Sequence, residues 1–181
     1  TTALRVGHRH HVAVLRVEPP DQNGVFDDGR LTSTFYINMM DSTFLGNVAV
    51  GAIFNSGSAG FQLAGWGLNT RPFFFLNNEA HSNYGGGMRY YFNNNPPFDA
   101  VDFSSWRNIG GAGPGAYTGL MRFFQSEFLD NYQGFGVTTV NYFFQDSLFE
   151  GNTKEGFMVN GYIGATDPRK LNSFLRNIFR N

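Results

Sequence analysis

The segment Asp41-Ser42-Thr43-Phe44-Leu45-Gly46-Asn47-Val48-Ala49-Val50-Gly51 returns as Asp146-Ser147-Leu148-Phe149-Glu150-Gly151-Asn152-Thr153-Lys154-Glu155-Gly156. Six of the eleven positions are identical, at an offset of 105 residues with no gap. The skeleton Phe-x-x-Asn also stands at Phe75–Asn78 and Phe128–Asn131. A short unit that recurs cannot bury its apolar face alone and does so by stacking on its own copies, so the repeat predicts a solenoid.

With Asn as the register mark, turns fall at Asn47, Asn78, Asn108, Asn131 and Asn152, in steps of 31, 30, 23 and 21 residues. A coil of a parallel β-helix takes roughly 20 to 25 residues, so the longer steps predict loops at Asn55–Gly60, Glu79–Gly87 and Asn93–Pro97. Phe44, Phe75, Phe128 and Phe149 are expected to form one internal stack. Each Asn is expected to take the left-handed backbone of a corner, and the Gly that follows to permit positive φ. Val137–Phe144 and Phe157–Ile163 read as strands. Residues 117–132 carry a competing helical spacing in Leu120, Phe123, Phe124 and Phe128. Gly119 and the Gly-rich stretch before it oppose a helix, and the Phe128–Asn131 match favours strand.

Composition agrees with an aromatic-filled β structure: 21 Phe and 23 Gly, but only two Lys, Lys154 and Lys170. A net charge of −1 with 15% charged residues argues against a nucleic-acid partner, which would call for a basic excess. The absence of cysteine excludes disulfides, thiolate metal sites and cysteine nucleophiles. No run of 18 apolar residues encodes a transmembrane helix. The chain opens on Thr1 without an initiator Met or signal-like segment, as a processed or trimmed product would.

The flanks differ from the repeat region at 39–166. Residues 1–38 read as an N-terminal β segment, with strands at His11–Val17 and Leu31–Asn38. Residues 167–181 read as an amphipathic helix: Asp167-Pro168 would cap it, and Leu171, Phe174, Leu175, Ile178 and Phe179 share one helical face. That helix would cover the open last coil, with contact to a membrane surface as its second use.

Phe44-Leu45-Gly46-Asn47 followed by Gly51-Ala52-Ile53-Phe54, and Phe75-Leu76-Asn77-Asn78 followed by Gly85-Gly86-Gly87-Met88, resemble the Phe-x-x-Asn…Gly-Gly-Ala-Ile repeats of bacterial polymorphic outer-membrane proteins, which are autotransporter-type passengers. The resemblance covers about residues 41–160. It implies a right-handed parallel β-helix and an extracellular or cell-surface role in adhesion or assembly.

Three constellations could carry chemistry. His8 and His10, within Gly7-His8-Arg9-His10-His11, would share one face of a strand and could hold a metal, although no acid lies nearby and a solvated arm is the simpler reading. Asp99 and Asp102 with Arg107, or Asp130 and Glu150 on adjacent coils, could supply the carboxylates of a small polysaccharide lyase or hydrolase. Tyr84, Arg89, Tyr91, Trp106 and Arg107 could form a loop-borne aromatic platform for sugar rings. Gly110–Gly115 lacks the Lys-Ser/Thr of a phosphate loop, and no cofactor is implied.

The sequence thus predicts an all-β chain: a parallel β-helix with a C-terminal capping helix, the alternative being a β-barrel or jelly roll. The function expected is non-enzymatic: a secreted or surface protein that assembles into a homo-oligomer or binds glycan. The carbohydrate-active enzyme is the second expectation. A capsid-like subunit or apolar-ligand barrel is the third.

Overall fold

Eighteen short β-strands lie in the computed structural model, which describes residues 33–37, 43–52, 59–65, 74–92, 98–114, 121–137, 142–159 and 172–181. The first coil comprises β1 (Phe35–Ile37), β2 (Thr43–Leu45) and β3 (Val48–Val50), and the second β4 (Ala59–Gly65), β5 (Phe74–Leu76) and β6 (Glu79–His81). The third holds β7 (Gly86–Phe92), β8 (Phe98–Val101) and β9 (Ser104–Trp106), and the fourth β10 (Gly110–Pro114), β11 (Met121–Phe124) and β12 (Glu127–Leu129). The fifth holds β13 (Gln133–Val137), β14 (Tyr142–Gln145) and β15 (Leu148–Glu150), and the sixth β16 (Glu155–Val159), β17 (Asn172–Leu175) and β18 (Ile178–Arg180).

Each coil gives one strand to each of three six-stranded sheets, in the orders β1-β4-β7-β10-β13-β16, β2-β5-β8-β11-β14-β17 and β3-β6-β9-β12-β15-β18. Every pairing among the described strands is parallel, which is the arrangement of a β-solenoid and not that of an antiparallel jelly roll or up-and-down barrel. Residues 35–37 pair with β4 and so belong to the first coil.

The corners explain the repeat. At the second corner, between the second and third sheets, Gly46, Asn77, Asp102, Gln125, Asp146 and Arg176 have φ between 49° and 66°. At the third corner, before the next coil, Gly51, Ser82, Arg107, Asp130 and Gly151 have φ between 50° and 78°. The left-handed residue is therefore the one before the Asn, not the Asn itself. The next residue turns inward and is buried, except Asn47 and Asn177 in the first and sixth coils, which are half-buried.

Those inward residues form two polar ladders. At the third corner, the backbone N–H groups of Ala52, Asn83, Asn108 and Asn131 donate to Oδ1 of Asn83, Asn108, Asn131 and Asn152 at 2.9 to 3.1 Å. Each Asn in turn donates from Nδ2 to a carbonyl of the coil before: Ala49, Ala80, Ser105 and Phe128. The second corner repeats the accepting half of the scheme with Asn78, Ser126, Ser147 and Asn177, starting from Asn47 N–H and interrupted at Phe103. Asn78 and Asn177 donate to the coil before, whereas Ser126 and Ser147 donate to Phe124 and Gln145 of their own coil. A sharp corner leaves backbone groups that strand pairing cannot satisfy, and the ladders satisfy them inside the core.

The expected register changes accordingly. Asn47 and Asn78 lie on one ladder, whereas Asn108, Asn131 and Asn152 lie on the other. Along the third corner the steps are 31, 25, 23 and 21 residues. Likewise Phe44 and Phe75 stack in the second sheet, and Phe128 and Phe149 in the third, so the single stack resolves into two. Glu79–Gly87, expected as a loop, holds β6, the third corner and the start of β7. Val137–Phe144 spans the end of β13 and the start of β14, which belong to different sheets. Residues 121–124 and 127–129 are strands, as the Phe-x-x-Asn match favoured.

The C-terminal helix is not formed in residues 172–181, which instead continue the second and third sheets as β17 and β18. A strand–corner–strand unit places inward residues five apart, with outward residues beside the corner, which mimics helical spacing over two turns. Phe174-Leu175-Arg176-Asn177 is one more Phe-x-x-Asn. The membrane-contact use of an amphipathic helix at 167–181 falls with it.

The core is a phenylalanine column. Phe75, Phe123 and Phe144 in the second sheet, with Phe128 and Phe149 in the third, are fully buried or nearly so. Phe128 lies parallel over Phe149 at 4.9 Å, and Phe123 over Phe144 at 5.0 Å. In the first three coils the third sheet offers only Ala49, Ala80 and Ser105 inward. Phe103, standing where an Asn ladder residue would be, fills that space against Phe61, Phe75 and Phe128.

Gly51, which follows Asn47, has the expected positive φ of 78°, whereas Gly60 and Gly134, at the start of the first sheet, answer to space. Gly60, Gly87, Gly111, Gly134 and Gly156 occupy one register position at the start of the first sheet. A Cβ on Gly134 would collide with the Gly156 carbonyl and with Asn152.

Candidate functional site

A polypeptide corner built from a left-handed residue, an inward Asn and a third residue must turn the first and third toward solvent. Along the third corner this produces two exposed columns on successive coils, about 4.8 Å apart. Ser82, Arg107 and Asp130 form one; Tyr84, Ile109 and Tyr132 form the other. Tyr84, Ile109 and Tyr132 are 55%, 47% and 51% exposed, which is unusual for large apolar side chains in one line. Backbone bonds from Tyr84 to Ala52, Ile109 to Asn83 and Tyr132 to Asn108 hold the second column in register.

Between the columns runs an open groove of about 420 Å³, lined by Ser82, Asn83, Tyr84, Arg107, Asn108, Ile109 and Asp130. Its floor is the Asn ladder, so the groove is carried by buried, fully hydrogen-bonded backbone.

The groove continues onto the outer face of the third sheet. Arg107 lies over the Trp106 ring, 5.5 Å from its centre. Trp106 stacks on His81 of the preceding coil, with centroids 4.0 Å apart and planes 13° from parallel. The indole N–H donates to Glu79 Oε1 at 2.8 Å, and the same oxygen is 3.9 Å from His81 Nε2. At the far end, Lys154 Nζ stands 5.6 Å from the centre of the Tyr132 ring. The arrangement joins flat ring faces to a guanidinium, a carboxylate and hydroxyls, which together can stack on a ring and bond its polar edge.

Of the platform residues expected, Tyr84 and Arg107 line this groove, and Trp106 adjoins it through Arg107. Arg89 lies in β7, in register with Gln62 of the first sheet, and Tyr91 follows in the same strand. Asp130, expected with Glu150, lines the groove. Glu150 lies on the outer face of the third sheet, 3.5 Å from Arg180. Asp99 forms a two-pronged ion pair with Arg122 at 2.5 and 2.6 Å on the second sheet. Asp102 is at the second corner, so Asp99, Asp102 and Arg107 do not converge. His8 and His10 lie outside the described residues. Among those described, no group of three or more side chains is placed to hold a metal ion. No helix of the described residues is long and apolar enough to cross a membrane.

Ile109 and Tyr132 were not singled out from sequence. Their signal was the residue directly after each ladder Asn, most plainly Asn83-Tyr84 and Asn131-Tyr132.

No protein-family model, curated protein or solved structure matches the chain.

Proposed function

We propose that this chain is a non-enzymatic secreted or surface protein whose third corner binds glycan, on a parallel β-helix of right-handed coil. The handedness follows the strong preference for right-handed crossovers between parallel strands of one sheet. The glycan reading rests on the exposed line Tyr84–Ile109–Tyr132 facing Arg107 and Asp130 across a shallow groove. Sugar rings offer an apolar C–H face for stacking and equatorial hydroxyls for charged side chains, and a linear chain of them would run along the coils. The open groove suits an extended polymer better than a small enclosed ligand.

Testing this requires an immobilised oligosaccharide panel probed with the full chain and with Tyr132→Ala and Arg107→Ala. Loss of one stacking or charge-assisted contact of about 1.4 kcal/mol weakens binding about tenfold. Absence of binding to every glycan, or equal binding by both variants, sinks the reading. Asp130, the one proposed catalytic carboxylate in the groove, discriminates the enzymatic alternative: turnover of a bound polysaccharide abolished in Asp130→Asn would favour it.

A further inference from the structure

Elsewhere on the stack, outward arginines pair with a carboxylate one coil away: Arg122 with Asp99, Arg176 with Asp146 and Arg180 with Glu150. Arg107 has the same kind of partner within one coil, since Asp130 holds the next place in its corner column. Among the described residues, however, no ion pair or hydrogen bond joins the two side chains, and Arg107 rests instead on the Trp106 ring. The reason lies in Gly151, the residue after Asp130 in that column. A Cβ there would collide with Asp130 Oδ1, so the carboxylate lies over a glycine of the fifth coil and away from Arg107 in the third.

Contact with a ring face uses none of the five N–H donors of a guanidinium. Arg107 therefore lines the groove with its donor fork unspent and its stem held by Trp106. Trp106 is itself fixed by its bond to Glu79 and by stacking on His81. Lys154, the other cation beside the groove, already stands 3.6 Å from Glu155. A free guanidinium fork matches the two coplanar oxygens of a carboxylate better than it matches a hydroxyl. Asp130, one coil further, only accepts; it takes hydroxyls and repels a second acid.

We infer that the groove selects an acidic glycan, with a uronate carboxylate on Arg107 and the hydroxyls of a neutral neighbouring sugar on Asp130. This rests on the glycan reading and names the substrate class of the same groove. A net charge of −1 gives the chain no general attraction for polyanions, so the selectivity belongs to Arg107.

The test is calorimetric titration of the full chain at low salt with two ligands. One is a hexasaccharide of alternating glucuronate and N-acetylglucosamine; the other is the same hexasaccharide with its carboxylates reduced to alcohols. The acidic form should bind more tightly by about tenfold or more, as a hydrogen-bonded charge pair does, and the ratio should shrink as salt is added. Arg107→Gln should abolish the ratio, whereas Tyr132→Ala should weaken both forms alike and preserve it. The corner accepts Gln, since Gln125 has φ 52° where Arg107 has 51°. Arg107→Lys keeps the charge without the fork and should retain only part of the ratio. Asp130→Asn removes the repulsion and should tighten the acidic form several-fold. Equal binding of the two forms, or a ratio that survives Arg107→Gln, overturns the inference and leaves the glycan reading standing. So does a sulfated, carboxylate-free hexasaccharide that binds more tightly than the uronate. Binding of neither form overturns the inference, and silence of the whole oligosaccharide panel overturns the glycan reading with it.

Discussion

At the scale of single residues, the corner Asn is the element on which the coil depends. Asn131 is fully buried. Its Oδ1 accepts from the N–H of Asn108 at 2.9 Å, and its Nδ2 donates to the Ser105 carbonyl at 2.8 Å. In Asn131→Ala both groups lose their partner where water does not reach. Each stranded buried group costs about 1–3 kcal/mol, so the loss is expected at about 2–6 kcal/mol, read as a fall in the urea midpoint with an unchanged slope. Asn131→Ser should recover part of it, since Ser126 and Ser147 serve the second ladder by accepting from Phe103 and Ser126 N–H. That interchange also shows what was legible in the sequence. The Asn of Phe-x-x-Asn marked corners correctly, but Ser126 and Ser147 fill the same role without resembling it, and Phe103 takes the position without the role. A mark read from Asn alone therefore merged two corners into one.

At the scale of elements, successive coils are tied by pairs of outward residues at the same register. Arg176 and Asp146 are left-handed corner residues of the sixth and fifth coils, joined by two bonds of 2.6 and 2.7 Å. Bonding to Arg176, and secondarily to Gln145, lowers the Asp146 carboxyl from 3.8 to about 2. A carboxyl held below its ordinary value contributes stability that is full above that ordinary value and is lost as pH falls through the folded one. Arg176→Gln should therefore lower the urea midpoint modestly at pH 5–7, and the difference from the parent should vanish as pH approaches about 2. A difference that persists unchanged in acid would mean that Arg176 acts by packing and not by charge. The strands carrying this pair were hidden in the sequence, because Phe174, Leu175, Ile178 and Phe179 fit a helical face as well as a strand–corner–strand. Only the five-residue spacing shared with Phe123/Phe128 and Phe144/Phe149 separates the two.

For the whole molecule, stability is a sum over coils and the interfaces between them, so the same substitution should weigh differently along the stack. Phe128 packs in the middle, against Phe103, Phe123, Phe135, Phe144 and Phe149, with no exposed surface. Phe179 packs at the end, on Phe149 and Phe174 only among the described residues, and is half exposed. Phe128→Ala opens a closed cavity and is expected to cost about 3–5 kcal/mol, whereas Phe179→Ala removes a ring already half in water and is expected to cost about 1–2 kcal/mol. The pattern of unfolding should differ as well. Loss of Phe179 frays one coil, so amide exchange should rise in residues 172–180 while the middle coils keep their protection. Loss of Phe128 weakens the interfaces on both sides of the fourth coil, and exchange should rise together in β11 to β15. Equal cost at both positions, or exchange that rises uniformly in both variants, would show that the coils melt as one unit and that the additive description fails for a stack this short.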